Sequence, residues 1–187
     1  MSRCARSLVL ALAGLLAAGP ALADLDWFQH PFGERRAYVQ DWLAVCEDAG
    51  EGPCRLVRAL QDARGPAFDS RVSLHLGPDG WQMEVMDRGM PSDSLSELRF
   101  LFDETLLIIA TRRDFVPGER LLPNVLETVT LTNPDLTATL LRAMREGGEM
   151  VITYRPTGTG DATAIFPLRG VTAGVDALTQ IETERQP

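Results

Sequence analysis

Short alternating runs joined by turn formers constrain the fold of this chain more than any other feature of its sequence. Over residues 70–76, Val72 and Leu74 alternate with polar neighbours, and residues 81–86 repeat the pattern after a Gly-Pro-Asp-Gly turn at 77–80. A period of two buries one face of a strand, and a turn of this composition joins two strands. We therefore predict an antiparallel β-hairpin over residues 70–86.

Similar runs recur along most of the chain. Further strands are predicted over residues 36–46, 54–60, 98–102, 105–110, 125–132, 150–154 and 162–168. One clear helix is predicted after Asn133, which suits the N-cap, with Pro134 at the first helical position; a second, short helix follows Gly170. About nine strands against one or two short helices predict a mostly β chain, an antiparallel β-sandwich or a partly closed barrel.

Two of these strands have apolar residues on both sides. The segment 36–46 is apolar on each side of a single extended strand, and Leu106-Leu107-Ile108-Ile109 is continuous rather than alternating. Strands that are covered on both faces show this pattern. We therefore expect 36–46 to be one doubly buried strand and 105–110 to be central in its sheet.

The N-terminus has the three parts of a secretory leader. Arg3 and Arg6 precede an apolar run at 8–18, and Ala21-Leu22-Ala23 supplies a signal peptidase site. The apolar run is too short for a comfortable membrane span, although a permanent anchor stays open as an alternative. We predict a cleaved signal peptide at 1–23, an irregular segment at 24–37, one domain at 38–180 and a frayed tail at 181–187. The mature chain is expected in the periplasm or outside the cell.

The charge of the mature chain disfavours two classes of partner. Both basic residues of the leader are arginines and it has no acid, so 16 arginines face 26 acids after cleavage, a net charge of −10. Nucleic acids and anionic membranes attract basic surfaces. No later segment has the length and hydropathy of a membrane helix. We expect no nucleic-acid partner and no transmembrane segment after leader cleavage.

Cleavage leaves two cysteines, Cys46 and Cys54, on either side of a turn-rich stretch. In an oxidising compartment, an even pair that is close in sequence indicates a disulfide, here across a hairpin. A redox pair would prefer a Cys-x-x-Cys spacing, and a metal site would need further ligands. We favour the structural disulfide over both alternatives.

The residues do not single out a catalytic or metal site. His30 and His75 are the only histidines, and no Gly-x-Ser-x-Gly motif is present. Two scattered histidines do not make a zinc site, and the acidic pairs do not have the spacing of an EF-hand. We predict no cofactor, no metal and no enzymatic activity. A carboxylate-dependent hydrolase stays open, because nothing distinguishes two of the 26 acids as a pair.

An apolar loop is the candidate surface for a partner or ligand. It contains Phe115, Val116, Leu121 and Leu122. Exposed apolar residues of this kind bind partner proteins or lipids. The alternative is that the loop folds over one end of the sandwich and buries its own side chains.

Three stretches carry a resemblance to a known family. They are Asp41-Trp42-x-x-x-Cys46 with Cys54, residues 133–154 from Asn133-Pro134-Asp135-Leu136 to Val151-Ile152-Thr153-Tyr154, and residues 166–178 from Phe166-Pro167-Leu168-Arg169-Gly170 to Leu178. Together they resemble the invasion-associated locus B family of Gram-negative bacteria over about residues 38–180. The resemblance implies an exported β-sandwich of the envelope with no established enzymatic activity. It also implies, for many members, a second cysteine pair that this chain does not have.

The resulting hypothesis is a non-enzymatic envelope protein that binds a partner or supports an envelope assembly. A carrier of a lipid or small apolar ligand is the second hypothesis, and a carboxylate-dependent hydrolase is the third. A deep apolar cavity would favour the carrier, and two carboxyl groups with raised pKa values in one cleft would favour the hydrolase.

Overall fold

The computed structural model describes residues 25–61, 68–77, 79–88, 90–91, 93–118, 127–155 and 161–185. Its elements, in chain order, are β1 (Phe28–Gln29), β2 (Arg35–Val39), β3 (Trp42–Cys46), a 3-10 turn (Asp48–Gly50), β4 (Cys54–Gln61), β5 (Phe68–Gly77), β6 (Gly80–Asp87), β7 (Glu97–Phe102), β8 (Leu106–Thr111), β9 (Phe115–Pro117), β10 (Glu127–Leu131), α1 (Pro134–Glu146), β11 (Glu149–Tyr154), β12 (Ala162–Pro167) and α2 (Val171–Arg185).

The strands form two antiparallel sheets. The large sheet has the order β1-β2-β3-β4-β5-β6-β10-β9, and the small sheet has the order β12-β11-β7-β8. Most neighbours in each sheet are also neighbours in sequence, as in a meander of hairpins. Within the described residues neither sheet closes into a barrel. The prediction of a mostly β, antiparallel fold is confirmed in its sandwich form, with two helices.

The core lies on the inner faces of both sheets. The predicted hairpin at 70–86 is present, with Val72 opposite Val85 and Leu74 opposite Met83, and all four side chains are buried. The alternation seen in the sequence therefore marks the inner face of the large sheet. Burying a side chain of this size contributes about 1.5–3 kcal/mol, and inner-face residues of the small sheet, such as Phe100, extend the same core.

Helix α1 begins where the sequence predicts. The Asn133 side chain accepts hydrogen bonds from the backbone N–H groups of Asp135 and Leu136, at 3.2 and 3.3 Å. These bonds satisfy donors that the first helical turn leaves unpaired. Leu140 and Met144 are buried, and α1 packs on β6 and β10 while α2 packs on β2 to β5. The two helices thus cover much of the inner face of the large sheet.

The prediction of one strand over 36–46 is wrong. Gln40 has a φ of +56°, and the chain reverses there, so the segment forms two paired strands, β2 and β3. Ala37 and Ala44 lie opposite each other on the inner face, whereas Tyr38 points outward and is exposed. Apolar residues on both sides of the run reflect two strands that each bury one face. The segment predicted as irregular, 24–37, contains β1 and the start of β2.

The prediction that 105–110 is a central strand is also wrong. Strand β8 is at the edge of the small sheet and pairs only with β7 among the described strands. Leu106, Leu107 and Ile109 are 48%, 52% and 43% exposed. A continuous apolar run indicates that both faces of a strand are apolar, but it does not establish that anything covers them.

The turn between β2 and β3 is fastened to the junction between β12 and α2. The Trp42 indole N–H donates to the Pro167 carbonyl at 3.0 Å, and the Arg169 guanidinium donates twice to the Asp41 carboxylate, at 3.0 Å each. This pairing holds the pKa of Asp41 below its ordinary value. Because β3 belongs to the large sheet and β12 to the small one, the contact, which we call the clasp, ties the two sheets together.

A second polar contact joins the two sheets at the ends of β6 and β11. The Tyr154 hydroxyl on β11 donates to the Asp87 carboxylate on β6 at 2.7 Å. Burial, and then this hydrogen bond to a carboxylate, raises the pKa of Tyr154 above its ordinary value. The phenol therefore remains a neutral donor, and the contact fixes the relative position of the two sheets.

Gly170 allows the clasp to close. Its φ is +103°, and a Cβ added there would stand 2.1 Å from the Val39 carbonyl oxygen. We expect Gly170→Ala to lower the free energy of unfolding by about 2–4 kcal/mol, because backbone strain and a steric clash add together. Urea unfolding of the mature chain measures this loss.

The matched control is Gly33→Ala. Gly33 has a φ of +84°, but nothing lies within 4 Å of an added Cβ. We expect Gly33→Ala to lower the free energy of unfolding by only about 1 kcal/mol, because it adds backbone strain without a steric clash. Equal losses at Gly33 and Gly170 would contradict the close approach in the clasp.

Candidate interaction surface

The predicted disulfide is present between Cys46 on β3 and Cys54 on β4. The two residues lie directly opposite each other, with their Cα atoms 4.1 Å apart. The bond closes the turn that contains the 3-10 segment. Arg185, at the end of α2, donates to the carbonyl oxygens of Gly50 and Gly52 in this turn. The disulfide hairpin is therefore also a docking point for the C-terminal helix.

The residues of the predicted loop surface do not point the same way. Phe115 on β9 is buried, at 1% exposure, with the Arg112 guanidinium 5.5 Å from its ring centroid. Val116 points outward and is 47% exposed. Leu121 and Leu122 lie outside the described residues. Of the two that the structure describes, Val116 is the one at the surface, on an edge strand of the large sheet.

The outer face of the small sheet carries a row of aliphatic side chains. Ile165 lies opposite Val151, Val151 opposite Leu101, and Leu101 opposite Leu107, so the row crosses all four strands. Ile109 follows Leu107 on the same face of β8. Neighbouring strands are about 4.8 Å apart, which gives the row a length of about 14 Å. We call these five residues the aliphatic face.

Three of the five side chains are well exposed. Ile165, Leu107 and Ile109 are 51%, 52% and 43% exposed, whereas Leu101 and Val151 are partly covered by their neighbours. Single exposed aliphatic residues are common on protein surfaces, but a contiguous row of them marks an interaction site. The sequence did not reveal this surface, because it depends on the pairing of β11 with β7 and of β7 with β8.

The outer face of the large sheet has a different chemistry. Arg71 pairs with Glu84 at 2.6 Å, and Arg55 pairs with Glu47 at 2.5 Å and with Glu34 at 3.0 Å. Arginine stems cover apolar surface while their charged ends remain solvated. The pairing with arginines holds the pKa of Glu34 below its ordinary value. The middle strands of this face therefore carry ion pairs, in contrast to the aliphatic face.

A smaller aromatic group lies at the β1 edge of the large sheet. Phe28 stacks on Tyr38 with ring centroids 5.8 Å apart, and Phe32 makes an edge contact with His30 at 4.7 Å. Phe32 and Tyr38 are both strongly exposed. Sequence reasoning missed this group because it treated the segment as irregular.

A groove of about 720 Å³ runs between the β5–β6 turn and helix α1. Its apolar part includes Trp81 and Leu141, and five charged side chains also line it. The charged residues are Asp79, Asp135, Arg142, Arg145 and Glu146. A carrier of apolar ligands requires a predominantly apolar lining with a few polar groups. Most of the surface that lines this groove is apolar, as a carrier requires, but five charged side chains lie along it where such a site has a few polar groups.

Asp114 connects the turn after β8 to the start of α1. Its buried carboxylate accepts hydrogen bonds from the Thr111 hydroxyl at 2.6 Å, the Thr111 backbone N–H at 2.9 Å and the Asn133 side-chain amide at 2.8 Å. The bonds from Thr111 and Asn133 lower the pKa of Asp114 to about 2. The same Asn133 side chain caps α1, so Asp114 orients the helix cap.

The titratable groups do not supply the observation that would favour a hydrolase. The carboxyl groups with clearly shifted pKa values in the described residues are Glu34, Asp41, Asp114 and Asp161, and each shift is downward, caused mainly by hydrogen bonds. Burial lowers the pKa of His75. The described residues contain no group of three or more His, Cys, Asp or Glu side chains suited to a metal ion.

Comparisons with known proteins give a likeness in fold. No family model and no curated protein sequence matches this chain. The described residues form a sandwich of two antiparallel sheets, and a solved structure is similar in fold. Invasion associated protein B from Bartonella henselae is similar with a TM-score of 0.58, over 79% of this chain and 98% of that one, at 14% identity. At this identity the likeness shows the fold alone.

Among the described helices, none has the length and hydropathy to cross a membrane.

Cys46→Ser tests the contribution of the disulfide. We expect it to lower the free energy of unfolding by about 2.5 kcal/mol, because closing a short loop removes entropy from the unfolded chain. Urea unfolding measures the loss, and reduction of the wild-type mature chain serves as the matched control. An intact mass that shows two free thiols in exported protein would contradict the bond itself.

Asp114→Asn tests the polar connection to α1. At neutral pH we expect a loss of about 1.5–3 kcal/mol, because the amide cannot accept all of the hydrogen bonds that the carboxylate accepts. The folded-state pKa is about 2 and the ordinary value is 3.8, so the stabilisation is present above 3.8 and is lost as the pH falls towards 2. The difference between wild type and variant in urea unfolding should therefore shrink over that range. A difference that is constant with pH would contradict this account.

Proposed function

We propose that the mature chain is a non-enzymatic protein of the Gram-negative envelope that binds a partner protein through the aliphatic face. The leader-like N-terminus and the Cys46–Cys54 disulfide support a place outside the cytoplasm. The fold shared with invasion associated protein B, together with the three motif stretches, supports membership of the invasion-associated locus B family. Membership of this family is part of the proposal.

The aliphatic face carries the proposal. Burying Ile165, Leu107 and Ile109 against a partner would remove apolar area from water, and each Å² contributes about 25 cal/mol before the costs of association. Small-molecule sites are concave, whereas these side chains stand on the open face of a sheet. A second protein surface is the ligand that fits this shape.

The charge of the chain indicates which kind of partner surface fits the aliphatic face. One end of the aliphatic face is bordered by the ion pairs of Arg99 with Glu97 at 2.5 Å and of Arg155 with Asp161 at 2.8 Å. Beyond these pairs the mature chain is strongly acidic, at −10. Anionic lipid surfaces repel such a chain. A protein with an apolar patch and a neutral or basic rim is the complementary partner.

A pull-down from native envelope tests this function. The tagged mature chain is crosslinked in place, and its partners are identified by mass spectrometry. We expect a protein in stoichiometric amount, and we expect Ile165→Arg to reduce its recovery at least tenfold, because the substitution places a charge in the apolar contact. Recovery of lipid alone would instead favour the carrier.

Val116→Arg is the matched control. Val116 is 47% exposed on an edge strand, nearly the same as Ile165 at 51%, but it belongs to the large sheet. We expect this variant to retain the partner. If Val116→Arg lost the partner protein and Ile165→Arg retained it, the binding site would instead be the loop of Phe115, Val116, Leu121 and Leu122.

A further inference from the structure

Among the described strands, β8 pairs only with β7, so its outer edge has no described strand beside it. Sheet edges expose backbone N–H and C=O groups, and proteins shield them with very short strands, prolines, bulges or charges. The edge strands β1 and β9 of the large sheet have two and three residues, and β9 ends at Pro117. At the other edge of the small sheet, β12 ends at Pro167. By contrast, β8 has six residues, no proline and no charge.

The sequence of β8 is complementary to itself in the antiparallel direction. If two copies pair around a twofold axis at Ile108, Leu107 of each copy lies opposite Ile109 of the other, and Leu106 lies opposite Ala110. Residues that lie opposite each other in an antiparallel pair share a face of the sheet. Every facing pair from Leu106 to Ala110 is then apolar, and the inner and outer faces of the two sheets coincide.

Charges at the two ends of β8 support the same register. The turn before β8 carries Asp103 and Glu104, and the turn after it carries Arg112 and Arg113, all of them exposed. These residues lie in the turns and not in the strand. Continued into the turns, the pairing centred on Ile108 brings position 104 of one copy near position 112 of the other, and position 103 near position 113. The acidic end of each strand therefore meets the basic end of its partner, twice in each dimer.

We propose that β8 pairs with β8 of a second copy, antiparallel and centred on Ile108, to form a continuous eight-stranded sheet. The contact uses the strand edge and leaves the aliphatic face open. It places the two aliphatic faces side by side, with Leu107 and Ile109 of both copies at the centre. Self-association therefore goes beyond the proposed function and does not depend on it, but it doubles the surface offered to an envelope partner.

The size of the contact predicts a weak, reversible dimer. Specific, stable interfaces bury about 1,200 Å² of accessible surface or more, and a pair of six-residue strands buries less than that. We expect dissociation constants in the micromolar range or weaker, and a dimer that forms as concentration rises. Sedimentation of the purified mature chain from micromolar to millimolar concentration is the first measurement. A monomer throughout this range would overturn the proposal.

A cysteine substitution tests the register. In this pairing, Ile108 is the one residue of β8 that lies opposite itself, and the mature chain has no cysteine besides Cys46 and Cys54. Ile108→Cys is expected to form an intermolecular disulfide under mild oxidation, because facing residues lie within bonding distance. Leu106→Cys is the matched control: it is more exposed than position 108, but it faces Ala110 and should crosslink far less. Stronger crosslinking of Leu106→Cys would indicate random collision and overturn the register.

Charge reversal provides a test that does not alter the strand itself. Glu104→Arg and Arg112→Glu change two positions that lie by each other in this register. Each single variant places like charges there and should weaken the dimer about tenfold, a change worth about 1.4 kcal/mol. The double variant restores opposite charges and should recover most of the affinity. A double variant that is as weak as the singles would overturn the proposed pairing.

The two proposals fail separately. Ile165 lies on β12, at the opposite edge of the small sheet from β8. Ile165→Arg should therefore leave sedimentation unchanged while it removes the envelope partner. A chain that dimerises but recovers no envelope partner would support this inference and contradict the proposed function. A chain that recovers the partner but stays monomeric would contradict only the inference.

Discussion

The clasp is the contact on which the rest of this structure depends. At the turn between β2 and β3, Trp42 donates a hydrogen bond to the Pro167 carbonyl at the end of β12. The neighbouring Asp41 accepts hydrogen bonds from the Arg169 side chain, just after β12. The contact joins residues about 125 positions apart in the chain, so it forms only when both sheets are in place. It also sets the start of α2, whose far end reaches the disulfide turn through Arg185. The two sheets, the C-terminal helix and the disulfide hairpin are thus connected through one corner of the molecule.

This connection gives a physical meaning to the motifs that resemble the invasion-associated locus B family. Asp41-Trp42 and the stretch at 166–178 are far apart in sequence, and the structure brings them together as the clasp. The stretch at 133–154 supplies the cap of α1, and Asp114 orients that cap through Asn133. In this chain, the residues of these motifs therefore stabilise the fold. They do not form the surface on which we base the function.

How far the sequence predicts the structure depends on the range of the interactions. The hairpin at 70–86, the cap at Asn133 and the pair of Cys46 and Cys54 were predictable, because each rests on residues close in sequence. The reversal at Gln40 was not, because Gln40 is not a typical turn former and a single Asp at position 41, inside an apolar run, does not mark a turn by itself. The edge position of β8 was not predictable either, since it depends on which strands pair across the chain. The aliphatic face is invisible in sequence for the same reason: its row joins β12, β11, β7 and β8, and only the sheet order places Ile165 in line with Leu107.

The central claim is that the aliphatic face contacts another protein in the envelope. Its most direct test is site-specific photo-crosslinking in intact cells, with a photoreactive side chain at position 151, in the middle of the row, and the same group at position 116 for comparison. Our account predicts a discrete protein adduct from position 151 and none in common with position 116. Adducts to lipid alone, or the same adducts from both positions, would contradict it.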